Sequence, residues 1–105
     1  MSNELARRAV AWKGWRWMPG WAFDGGGRMT EGMDVFGHIL PDLSDDLTRL
    51  GLLVLVREAW GDPMVFAAVN ADGGGNPWRV STRAGWVGHY PTEAAALVAA
   101  LEAAP

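Results

Sequence analysis

The sequence predicts an α+β fold: an antiparallel sheet with about three helices, in the order helix, weak strands, helix, hairpin, helix. Two observations carry this. Residues 45–60 and 92–104 read as capped apolar helices. Residues 64–88 read as strand, glycine-rich loop, strand. The 105 residues and their lack of cysteine fit a single domain over 1–105 with one core.

The first helix opens at Ser2 or Asn3, either of which can cap it, and Glu4 suits its first turn. Leu5, Ala9 and Trp12 then recur at i, i+4 and i+7 on one helical face, and Gly14 ends the pattern. Trp15 to Phe23 holds Pro19-Gly20, a turn signal, with a short strand expected on either side. Gly25-Gly26-Gly27 reads as a turn, followed by a weak strand within Arg28 to Phe36.

Ser44 is a suitable N-cap for the second helix, and Asp45 and Asp46 favour its positive end. The run Leu50 to Val56 alone fits a buried strand or a buried helix, but the cap and the length favour a helix over Leu47 to Trp60. Gly61 and Pro63 stop it. Being apolar on nearly every side, it is expected at the centre of the fold or in an oligomer interface. Met64 to Ala71 and Trp78 to Gly88 read as two strands of a hairpin across the loop Asp72 to Pro77. Thr92 caps the last helix, whose apolar stripe is Ala94, Leu97, Val98 and Leu101.

Composition narrows the function. Apolar residues are 50% of the chain, or about 62% with glycine counted and tyrosine left out, against roughly 45–50% in ordinary domains. Intrinsic disorder, a disulfide scaffold and a cysteine-ligated zinc site are excluded. The longest near-continuous apolar run is too short to cross a membrane. The net charge of -3 argues against nucleic acid as the partner of the whole molecule. Charge is nevertheless uneven. Residues 1–28 carry +3, from Arg7, Arg8, Lys13, Arg16 and Arg28 against Glu4 and Asp24. Residues 29–72 carry -6, and residues 73–105 balance. Such a split fits an internal match, a contact between copies, or an anion site. The N-terminus shows no basic and apolar leader, so the expected location is the cytoplasm of the cell that makes the protein.

Tryptophan is the loudest signal, with seven in the chain and four between residues 12 and 21. In Trp12-Lys13-Gly14-Trp15-Arg16-Trp17, aromatics interleave with cations. One reading is a stacking and cation–π site, with Trp15, Trp17 or Trp21 for a nucleobase and Arg16 and Lys13 for phosphate. The other reading places the indoles in the core and lets the cations reach past them to water. Triple-glycine loops at 25–27 and 73–75 could turn backbone N–H groups toward an anion, or simply be turns. His89, beside Tyr90 and near a helix start, is a further candidate ligand contact, with a structural histidine as the alternative. His38 and His89 lack the paired spacing of a metal site, so neither a metal nor another cofactor is expected. Asp42, Asp45 and Asp46 read as a helix start rather than an acid–base pair. No set of nucleophile, base and orienting group assembles, so the chain does not read as an enzyme.

Several stretches resemble one family. They are Leu5 to Gly20, Leu40-Pro41-Asp42-Leu43, Leu55 to Gly61 and Pro91 to Ala104. They are similar to short phage and prophage proteins of the phage ABA sandwich domain type. Residues 22–39 depart from that pattern. The resemblance implies a small α/β sandwich and supports helix over 45–60, and it carries no functional residue over. It implies an accessory protein acting in the host cell cytoplasm. Such a protein, lacking catalytic apparatus, is expected to act by binding. One expectation is a counter-defence protein that sequesters a small anionic, nucleotide-like host signal. The others are an inhibitor docking on a host defence or replication protein through an aromatic hot spot, and a virion or assembly component. The apolar excess suggests a homo-oligomer.

Overall fold

The structure is a computed structural model, and it describes residues 4–16, 20–23, 27–28, 40–70 and 74–105. Among the described residues it shows the expected α+β class: three helices, with a two-stranded and a three-stranded antiparallel sheet. The chain divides into two compact units, Met1–Gly51 and Leu52–Pro105.

In the first unit, α1 spans Glu4–Ala11, with Ala6 and Ala9 buried and Arg7 and Arg8 exposed. Ser2 and Asn3, the expected caps, lie outside the described residues, as does the expected strand after Arg28. No strand forms at Trp15 and Arg16, where one was expected before the Pro19-Gly20 turn. The chain there follows a turn closed by the Trp15 N–H on the Trp12 carbonyl (3.0 Å), so its polar backbone is used locally. Strands β1 (Ala22–Phe23) and β2 (Gly27–Arg28) pair antiparallel, and Phe23 forms a further bridge to Pro41.

Helix α2 spans Asp46–Trp60. Its cap is Asp45 rather than the expected Ser44: Asp45 Oδ2 accepts the Thr48 N–H at 3.0 Å and the Thr48 hydroxyl at 2.9 Å. Ser44 is drawn into the preceding turn instead, donating its N–H and its hydroxyl to Asp42 Oδ1 (3.0 and 2.5 Å). The physical reason is competition between short acceptors, since Asp42 captures Ser44 before it can serve the helix. Arg28 grips the same Asp45 with both terminal nitrogens (2.7 and 3.1 Å) and donates to the Gly20 carbonyl (3.0 Å). The buried Thr48 hydroxyl accepts the Ala22 N–H at 2.9 Å. The start of α2, β1 and β2 thus share one hydrogen-bonded clasp. One turn along α2, Gly51 receives the Trp21 indole against its bare backbone.

Within the single chain α2 is not buried on nearly every side, so it is not the wholly central helix that was one of the two expectations. Leu47, Leu50 and Val54 form an exposed stripe at i, i+3 and i+7. Thr48, Gly51, Leu52, Leu55 and Val56 supply the buried side. The helix stops as expected. The Gly61 N–H returns to the Glu58 carbonyl and the Asp62 N–H to the Arg57 carbonyl, a Schellman closure with Gly61 at φ +61°.

The second unit holds the rest. Strands β3 (Phe66–Val69), β4 (Trp78–Thr82) and β5 (Gly85–Tyr90) form a sheet in that order. The expected single strand from Trp78 to Gly88 is therefore two strands. Gly85 takes φ +114°, which only glycine adopts readily. The Thr82 hydroxyl accepts the Ala84 N–H and donates to the Gly85 carbonyl, closing the turn at Arg83-Ala84. Helix α3 (Glu93–Ala103) is capped by Thr92, as expected, through the Ala95 N–H (3.1 Å). It packs on this sheet, and Ala94 and every residue from Ala96 to Leu101 are buried. Small alanines let neighbours approach its backbone closely: Trp60 donates its indole N–H to the Ala100 carbonyl at 2.9 Å.

Two outcomes follow. Gly51→Ala gains up to about 1 kcal/mol of helix propensity, but its new methyl would sit inside the Trp21 indole. Overpacking of this kind costs about 1–3 kcal/mol. Urea unfolding is expected to show a net loss of stability, or at best no gain. The second outcome concerns acid. Arg28, and then the Thr48 N–H, hold the Asp45 carboxyl well below the usual carboxylate range. A carboxyl depressed in the folded state adds stability above its unfolded value near 3.9 and loses it as pH falls through the folded value. Asp45→Asn keeps a capping oxygen. Its deficit against the parent protein is therefore expected to be constant above about pH 5 and to shrink below about pH 4, as read by thermal unfolding across pH.

Candidate functional site

The Trp-rich N-terminal segment divides between core and surface. Trp21 is 2% exposed, and its ring meets Trp15 at 5.2 Å in a tilted pair. It is thus a core residue, closed to a stacking ligand in this arrangement. Trp15 is half-buried, and Lys13 and Arg16 are exposed on the turn after α1. Trp17 lies outside the described residues, as do His38 and the first two glycines of the 25–27 loop. Gly74 and Gly75 are exposed loop residues with open space around them. His89 is exposed on β5, in the second unit. Of the segment's candidates, the described structure keeps Trp15, Arg16 and Lys13 near one another along the chain and withdraws Trp21 into the core.

A second aromatic and cationic group lies on the three-stranded sheet. Residues paired across strands share a face. The register matches Phe66 with Ser81 and Ser81 with Trp86. The next row is Ala68, Arg79 and Gly88. The opposite face presents Ala67, Val80 and Val87, and Val80 is fully buried, which turns that face toward α3. Phe66 and Trp86 are therefore outward, at 47% and 50% exposure.

These two rings stand on the outer strands, roughly 10 Å apart at the backbone from the strand spacing. Their centroids are only 5.8 Å apart, so they lean together over Ser81 in an edge-to-face contact. The Arg79 guanidinium carbon lies 3.9 Å from the centroid of the Trp86 ring. Gly88 makes room for this, because a side chain there would press on the Arg79 Cβ. The Arg79 Nε is buried without a hydrogen-bond partner, and the residue forms no ion pair among the described residues. The hairpin from Trp78 to Tyr90 contains Arg79 and Arg83 and no acidic residue. An uncompensated guanidinium on an exposed indole can hold an anion while the neighbouring rings offer apolar faces.

Sequence reasoning missed this group because it treated Trp78 to Gly88 as one strand. The turn at Arg83-Ala84 sets Trp86 opposite Ser81 and within reach of Arg79, a contact that one continuous strand does not allow. Its only trace is parity: Arg79 and Ser81 alternate with the Trp78, Val80 and Thr82 series.

Among the described residues, no group of three metal-ligating side chains occurs, and no helix is long and apolar enough to cross a membrane. Comparison of the chain with protein-family models, with curated proteins and with solved structures finds no match.

The two kinds of tryptophan are separable by stability. Trp21→Ala empties a core position and is expected to cost about 3–5 kcal/mol. Trp86→Ala loses a half-exposed ring contact and a cation–π contact, about 1–2 kcal/mol together. Urea denaturation of both variants checks the order.

Proposed function

We propose that this chain is a small non-catalytic binding protein whose outer sheet face holds a planar, anionic, nucleotide-like ligand. The observation that carries this reading is the Arg79 guanidinium stacked on the half-exposed Trp86 ring, beside Phe66, with no carboxylate to neutralise it among the described residues. Trp86 and Phe66 stack or edge-pack a base, and Arg79 meets the anionic group. The resemblance to phage ABA sandwich proteins supplies the setting: a phage accessory protein in the host cytoplasm that sequesters a nucleotide signal as a counter-defence. Lys13, Arg16 and Trp15 remain a second candidate surface on the first unit. Self-association, expected from the apolar excess, draws support from the exposed Leu47, Leu50 and Val54 stripe.

One observation favours the alternative of a protein-docking inhibitor. Met64, which is exposed, lies two residues before Phe66 at the start of the same edge strand and adds to its apolar surface.

Thermal unfolding with a panel of nucleotides and cyclic nucleotides tests the first reading. A ligand at about 100 times its Kd adds about 2.7 kcal/mol of stability. The shift is expected with at least one nucleotide, and it should vanish in Arg79→Ala and in Trp86→Ala. A shift that survives in both variants moves the site to another surface. Absence of any shift, together with a stable complex with a host protein, establishes the docking reading instead.

A further inference from the structure

We infer that this sheet face also takes a nucleotide within a single strand, and holds it more tightly than a free mononucleotide. The inference rests on the reading above, that Arg79 and Trp86 bind a nucleotide. The first reason is shape. Small-ligand sites are concave and bury most of the ligand. Here the two rows of the outer face are Phe66, Ser81 and Trp86, then Ala68, Arg79 and Gly88. The second row is nearly flat on either side of Arg79. A free nucleotide lying on it would keep much of its surface in water, whereas a strand gains by repeating modest contacts along an open face.

The second reason is the placement of charge. Arg83 is exposed at the β4–β5 turn, four residues beyond Arg79. At the rise of a strand this is roughly 13 Å, a distance that one phosphate on Arg79 does not span and the backbone of a strand does. From Trp78 to Thr92 the chain holds no acidic residue, so both cations face a strand without a repelling carboxylate on their own hairpin. Glu93 and Glu102 belong to α3, which packs against the opposite face of the sheet. The overall charge of -3 argues against nucleic acid for the molecule as a whole. At physiological salt, however, a charge acts over only about 8 Å, and the local hairpin decides.

The third reason is that stacking on Trp86 and Phe66 needs no particular base, which suits a strand of mixed sequence. The expected mode is therefore one or two bases against Phe66 and Trp86, one phosphate on Arg79, and a neighbouring phosphate on Arg83.

The test uses the full chain and two probes: fluorescein-labelled oligodeoxyadenylate of about 12 nucleotides, read by anisotropy, and dAMP, read by calorimetry. The oligonucleotide is expected to bind at least about tenfold more tightly than dAMP, within the non-specific range of about 1–100 μM. Trp86→Ala is expected to weaken oligonucleotide binding about tenfold. Arg83→Ala, at an exposed turn and outside the stack, is expected to lower the slope of log K against log salt by about 0.7 and to leave dAMP binding unchanged. Circular dichroism confirms that each variant is folded. If dAMP binds as tightly as the oligonucleotide and Arg83→Ala is silent, the inference is overturned and the nucleotide reading stands. If neither probe binds the folded protein, or if binding survives both Arg79→Ala and Trp86→Ala, the inference and the reading beneath it both fall.

Discussion

The first unit depends on one carboxylate. Asp45 caps α2 through the Thr48 N–H and is gripped from outside the helix by Arg28. Thr48, held by the same carboxylate, turns its hydroxyl oxygen to the Ala22 N–H. A buried N–H must find a partner, so this bond sets where β1 lies against the helix. Trp21, the residue before Ala22, is thereby placed over Gly51, one turn beyond Thr48. The absence of a side chain at Gly51 is what admits the indole. A helix interior ordinarily disfavours glycine; here the burial of a tryptophan offsets that cost.

The second unit is organised by a different constraint. Helix α3 is apolar almost all round and must be covered almost all round. The inner face of the three-stranded sheet covers part of it, and Trp60 closes on its backbone at Ala100. Once the inner face is committed to α3, the two-residue period of the strands leaves every alternate side chain outside. Val80 goes in, and Phe66, Arg79 and Trp86 remain out. The candidate site is in this sense a by-product of how the core is covered, and its aromatic residues stay half-exposed because no described element lies over them.

The sequence identified the helices by chemistry that acts within a few residues. Thr92 caps α3 through a bond three residues away. Gly61 closes α2 because the backbone there needs a positive φ. Where short-range candidates competed, the reading chose wrongly between neighbours, and Ser44 gave way to Asp45 because Asp42 captured it. The apolar run Leu50 to Val56 calls for cover, yet hydrophobicity alone does not tell which of its faces finds a partner within the chain. Leu50 is 61% exposed while Leu52 is buried.

By itself, then, the sequence determined the α+β class, the three helices and their order, the stop of α2 at Gly61, the cap of α3 at Thr92 and the presence of more tryptophan than a small core readily hides. Those properties follow from local propensity, capping and composition, which any stretch of chain carries with it. Only the tertiary structure decided which tryptophans are core and which are surface. Trp21 became core because a distant glycine lay open beneath it, and Trp86 became surface because a tight turn set it opposite Ser81, within reach of Arg79, on the face that α3 does not use. Both outcomes depend on contacts between residues far apart in the chain or across a turn, and pairings of that kind are settled by packing rather than by local pattern.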